Sequence, residues 1–164
     1  MLKKIFAPFL FTLSLFVLSG SVAKAQSGKL PPFSILQPNG KIFRAGNLPF
    51  EKPIVIIYFS PDCEDCLAFM DKLFTKISDY KKASIVMITY LSNDEVVKFV
   101  NRYKTNQYRN ITVGTEGSSF FIKNYYKIMD LPFAALYDKN GNIQCSYQKN
   151  IPLNEFAKRL QKLK

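Results

Sequence analysis

The run Ile54-Val55-Ile56-Ile57-Tyr58-Phe59 constrains the fold of this chain more than any other stretch. It is continuously β-branched or aromatic and does not alternate with polar residues. A strand of that kind is covered on both faces, so it belongs in a sheet flanked by helices. Ser60-Pro61-Asp62 ends it, and the periodicity then changes. Cys66, Phe69, Met70, Leu73, Phe74 and Ile77 recur at spacings of three and four, which predicts a helix from Cys63 to about Tyr80.

The remaining elements follow the same logic. Phe33–Leu36 and Lys41–Arg44 read as short strands around the turn Pro38-Asn39-Gly40. Ala83–Leu91 is a second buried strand. Ser92 and Glu95 have the spacing of a capping box and open a helix to about Lys104. Ile111–Val113 is a short strand, and Ser118–Ile128 is read as a helix. Pro132–Tyr137 and Asn142–Gln148 form a hairpin around Asp138-Lys139-Asn140-Gly141, because Asn-Gly tolerates positive φ. Pro152–Leu163 closes the chain as a helix. The order is that of one α/β domain whose first pair of long strands is parallel and whose last pair is a hairpin.

Composition narrows the chemistry. Of 164 residues, 48% are hydrophobic, enough for a packed core. The chain contains no His, which excludes His-ligated zinc or copper and every Ser-His-Asp or Cys-His catalytic pair. The net charge of +11 is spread out and forms no basic stripe, so no nucleic acid is expected as a partner. It favours acidic partners or anionic surfaces through long-range attraction.

Residues 1–25 read as a signal peptide. Lys3 and Lys4 precede the uncharged run Ile5–Leu18, and Ala23-x-Ala25 supplies the small residues of a cleavage site. The run is shorter than the roughly 20 residues of a spanning helix. The expectation is export, to the periplasm, with cleavage near Ala25 and no stable membrane span afterwards. Residues 26–32 read as a flexible lead-in, and residues 33–164 as the folded domain.

Export gives meaning to Cys63-Glu64-Asp65-Cys66. A spacing of three at a helix start puts both sulfurs on one face of the first turn. Cys63 falls near the N-cap, where unpaired N–H groups and the helix dipole favour a thiolate. It is the candidate attacking nucleophile, and Cys66, one turn further in, the candidate resolving thiol. Three readings stand on these residues alone: a redox pair, a structural staple, or a two-thiolate Cu(I) site. Cys145 is left over and reads as a buried free thiol.

The strand, the Cys63-Glu64-Asp65-Cys66 motif and the later stretch Leu131-Pro132-Phe133-Ala134-Ala135-Leu136-Tyr137-Asp138-Lys139-Asn140-Gly141 together resemble a known family. With the leader and the Phe33–Lys41 stretch, the chain is similar to thioredoxin-fold thiol–disulfide oxidoreductases, nearest the exported TlpA-like and ResA-like proteins. The resemblance implies a central mixed β-sheet flanked by helices, with an N-terminal β-hairpin extension. It implies a catalytic pair Cys63 and Cys66, needing no cofactor beyond its own redox-active disulfide. It implies a cis Leu131–Pro132 bond lining a substrate groove, with the Leu131 backbone pairing to an extended client chain. The partners it implies are client protein disulfides or thiols and an upstream membrane or periplasmic electron donor. A non-catalytic binding module or a Cu(I)-handling chaperone on the same fold is the alternative.

The chain departs from that pattern at three points. Asp62 stands where many members carry Trp. Ile57 stands where thioredoxin proper carries a buried acid, and Leu131 stands where small β-branched residues are common. Glu64 or Asp65 is left as a proton acceptor through solvent. The charges of Asp62, Glu64 and Asp65 favour the helix N-terminus but oppose a nearby thiolate. That opposition predicts a more reducing pair, and hence a reductase instead of a strong oxidant.

Overall fold

The computed structural model describes residues 28–49 and 51–163. The predicted leader therefore lies outside the described residues. The chain order is β1 (Ser34–Leu36), β2 (Ile42–Arg44), β3 (Ile54–Tyr58), α1 (Glu64–Thr75), β4 (Ser84–Thr89), α2 (Asn93–Tyr103), β5 (Ile111–Thr115), α3 (Phe121–Tyr125), β6 (Phe133–Tyr137), β7 (Ile143–Gln148) and α4 (Leu153–Lys162). The strands form one mixed sheet in the order β2-β1-β5-β4-β3-β6-β7. Strands β3, β4 and β5 are parallel, and β6 runs antiparallel to β3. This is the thioredoxin-like architecture, with β1–β2 as the N-terminal hairpin.

The connections decide which face each helix covers. Both β3–α1–β4 and β4–α2–β5 step one strand in the same direction. Right-handed crossovers therefore put α1 and α2 on the same face. There they join α4 around a core of Val55, Ile57, Met87, Met70, Phe99 and Leu160. The opposite face takes α3 and the N-terminal segment, through Phe33, Ile35, Ile122 and Ile128. Residues of β3 alternate between the two cores, and all five are buried. That is why its sequence shows no alternation.

The hairpin reaches the sheet through a single register pair, Leu36 with Thr115. Gly114 makes this possible. A Cβ there would lie 2.8 Å from the Leu36 carbonyl oxygen and 3.0 Å from the Ile35 side chain, so only glycine lets β1 approach the edge of β5. In the stretch read as a lead-in, Leu30 N donates to Gly141 O at 2.9 Å, and Lys29 pairs with Asn142.

Three helices differ from expectation, the first because α1 stops at Thr75 and Ile77–Tyr80 is a separate 3-10 turn. The segment read as one helix over Ser118–Ile128 is broken. Phe120 has φ +45° and Lys127 has φ +52°, leaving only Phe121–Tyr125 as α-helix. The break lets Phe120 pack on Tyr90 while Tyr126 packs on Phe133. The capping box at α2 is half formed. Ser92 Oγ accepts from Glu95 N, but the Glu95 carboxylate turns to Lys98 at 2.6 Å.

Candidate functional site

The turn after β3 builds the site. Phe59 N donates to Ile88 O, which extends the parallel pairing by one residue. Cys63 N then donates to Ser60 O at 3.2 Å, closing a four-residue turn with Pro61 at its second position, where a fixed φ suits it. Cys63 is the N-cap of α1. Its carbonyl accepts the first helical bond, from Leu67 N, and its Sγ accepts from Cys66 N at 3.3 Å. The sulfur thus takes the place a Ser or Asp oxygen takes at other helix starts, at the positive end of the dipole.

The two thiols sit in different surroundings. Cys63 is half-buried and Cys66 is fully buried, and both are free. Burial pushes the Cys66 thiol up to about 12. The hydrogen bond with Cys63 adds to this, the Ser60 backbone opposes it, and the charges of Cys63 and Asp65 contribute last. Ile57 lies in the same core cluster as Cys66, so a hydrocarbon fills the position where thioredoxin proper carries a buried acid. Asp62, Glu64 and Asp65 are exposed.

The β3–β6 register places the cis-proline loop. Tyr58 pairs with Phe133, so Pro132 lies just beyond the pair, at the end of β3 where the turn to Cys63 begins. The Leu131–Pro132 peptide is cis. Leu131 is half-buried and packs against the cluster that Cys63 borders. Among the described residues its backbone N–H and C=O meet no hydrogen-bond partner. The end of β7 clamps this loop from both sides. Gln148 Oε1 accepts from Met129 N at 2.9 Å and from Asp130 N at 3.1 Å, and Lys149 N donates to Pro132 O at 2.8 Å. Met129 itself is 86% exposed.

Sequence reasoning missed Gln148, Ser60 and Tyr90. Ser60 Oγ donates to the Asp62 carboxylate and lies 3.3 Å from Tyr90 Oη. Tyr90 stacks on Tyr58 beneath. The Ser-Pro-Asp spacing was a readable signal for the first contact, since Ser and Asp two apart favour local side-chain bonds. Gln148 carried none, because its partners are 18 and 19 residues away. Cys145 is half-buried, not buried. It lies in β7 near Tyr147, Glu155 and Arg159, and burial raises its thiol pKa. Among the described residues, no group of three or more His, Cys, Asp or Glu could hold a metal ion.

Known proteins share this fold. A secreted Mycobacterium tuberculosis disulfide oxidoreductase, described as homologous to E. coli DsbE, superimposes with a TM-score of 0.66 at 20% identity, covering 80% of this chain and 96% of its own. A putative thioredoxin from Neisseria meningitidis gives 0.66 at 19%, covering 84% and 89%. An uncharacterised thioredoxin-like protein from Porphyromonas gingivalis gives 0.64 at 19%, covering 82% and 90%. No curated protein matches the sequence. The thioredoxin-like family model matches residues 51–143, more than half of the chain and the whole span from before β3 to the start of β7. By that match, the chain belongs to the thioredoxin-like family.

Proposed function

We propose that this protein is an exported thiol–disulfide oxidoreductase of the TlpA, ResA and DsbE kind that reduces disulfides in client proteins. The observation that carries the reading is the asymmetry of the pair: a half-exposed Cys63 sulfur at a helix N-cap, beside a fully buried Cys66.

In the first step the Cys63 thiolate attacks a client disulfide. One S–S bond forms, the client S–S bond breaks, and a client thiolate leaves. In the second step Cys66 gives up its proton and attacks Cys63 Sγ, releasing the second client thiolate. Two electrons have then passed to the client, and Cys63–Cys66 is a disulfide. A dithiol electron donor returns it to the reduced state. The unpaired Leu131 backbone supports a role in holding an extended client segment by strand-like hydrogen bonds. The leader read in residues 1–25 would deliver the protein to the periplasm.

The test is the reduction potential of the pair in glutathione and dithiothreitol buffers, with Cys63→Ser and Cys66→Ser as controls. A reversible two-electron couple below the glutathione range is expected, with Cys66→Ser accumulating a mixed disulfide and Cys63→Ser inert. A potential near about −120 mV would refute the reductase direction. A pair that never exchanges would refute redox function itself.

A further inference from the structure

We infer that a basic groove leading away from the cysteine pair selects clients whose redox cysteine is followed or preceded by a short acidic segment; this rests on the disulfide-reductase reading above. Two adjoining cavities, of about 220 and 560 Å³, lie between the outer side of α1 and the segment joining β7 to α4. They share Lys72, Ile151 and Leu153 in their walls and so adjoin along α1.

The near end borders the candidate site. Asp65 lines it from within the cysteine motif, and Lys149 lines it from the residue bonded to Pro132. The far end reaches Lys76 and Lys158. From Asp65 to Lys76 the helix rises about 16 Å, the length of about five extended residues.

Apolar contact and charge are divided along these cavities. Phe69, Ile151 and Leu153 supply an apolar floor. Lys72, Lys76, Lys149 and Lys158 stand around it, all exposed. The ion pairs among the described residues are Lys98–Glu95 and Arg159–Glu155, so none of these four lysines has an acidic partner. Glu155, the acid at the far end, is already held by Arg159 and Tyr147. Lys76 meets only the neutral Asn154 side chain. Four unmatched cations over an apolar floor, against the one unpaired acid Asp65 at the near end, complement a chain that alternates acidic and apolar residues. An elongated run of cavities that ends at Lys149, the residue bonded to Pro132, fits an extended peptide better than a flat membrane surface.

The experiment uses the purified, reduced protein and three peptides that carry one cysteine as a glutathione mixed disulfide. One has a five-residue acidic–apolar tail, one has lysines in place of the acids, and one has no tail. Reduction of the acidic peptide is expected to be about tenfold faster than that of the lysine peptide at low salt. The gap should close at high salt, as screened charges require. In the Lys72→Glu/Lys158→Glu variant the preference should disappear or invert. Equal rates for both tails, with the tail-less peptide reduced normally, would overturn the groove and leave the reductase reading intact. Failure to reduce any of the three would overturn both. Tail-independent rates together with lysine-dependent sedimentation on phosphatidylglycerol vesicles would assign the cations to a membrane surface and also overturn the inference.

Discussion

The second half of the proposed reaction should be limited by one proton. Cys66 must lose it before attacking Cys63, and burial holds that thiol at about 12. When Cys63 is tied up in a mixed disulfide its own contribution goes, but burial, the largest cause, remains. At pH 7 an ordinary thiol is about 3% ionised. A thiol at about 12 is ionised about three thousandfold less. A more basic thiolate is a better nucleophile, and a Brønsted slope of about 0.45 over that difference returns about fortyfold. The net expectation, an upper bound because the Cys63 contribution is gone, is resolution up to about a hundredfold slower than for an exposed thiol held at the same distance. The slope is the cleaner readout: with the thiolate so scarce, the rate should rise about tenfold per pH unit from pH 6 to 9. The assay is stopped-flow mixing of the Cys63–glutathione mixed disulfide, following glutathione release against pH. A plateau at or below pH 9 would refute the reasoning, because it would require either a carboxylate that takes the Cys66 proton or a thiol far more acidic than its burial dictates.

Ile57→Asp tests the same point from inside the core. A carboxylate there should raise the resolution rate at pH 7 and flatten its slope, while destabilising the protein by about 3–5 kcal/mol in urea titrations, since Ile57 is 1% exposed. Gln148→Ala removes the acceptor shared by Met129 N and Asp130 N. It should cost about 1–2 kcal/mol and speed amide exchange at those two residues. Leu160→Ala, at a fully buried position of α4, should cost about 3 kcal/mol in the same titration without changing the reaction's pH slope. The reduced protein should also lose stability at high pH. The folded Cys66 pKa lies above its unfolded value, so that contribution is complete below about pH 8.5 and is lost as pH rises towards about 12. Cys66→Ala should lose less stability over that window, and the difference between the two unfolding curves isolates Cys66 from the buried tyrosines they share.

The long elements were legible because their surroundings are uniform. Burial on both faces wrote β3 and β4 as unbroken apolar runs, and the α1 face recurs at helical spacing because α1 packs on one core. The segment after β5 was misread for the opposite reason. Its aromatic residues serve different neighbours: Phe120 meets Tyr90, Tyr126 meets Phe133, and Tyr125 bonds Lys29 O. Together they mimic one helical face. The real start of α3 is marked by Glu116, whose carboxylate accepts from Ile122 N at 2.7 Å. A cap reaching across six residues leaves no local pattern to read.

The same distinction runs through the candidate site. The cysteine wall comes from one contiguous stretch, so spacing alone placed Cys63 at the helix start. The cis-proline loop depends on pairing between strands, and there one residue matters. Tyr137 pairs with Ile143, yet Leu136 pairs with Cys145, so Gln144 is an extra residue in β7. That irregularity brings Gln148, and not Tyr147, opposite Phe133. Because side chains alternate between faces, an unbulged hairpin would shift every residue after Gln144 to the other side of the sheet. Gln148 would then turn away from Met129 and Asp130, and the loop carrying Leu131 and Pro132 would lose its clamp. The Asn140-Gly141 turn announced a hairpin, but no feature of the sequence announced the bulge that aims its last residue at the loop before Pro132.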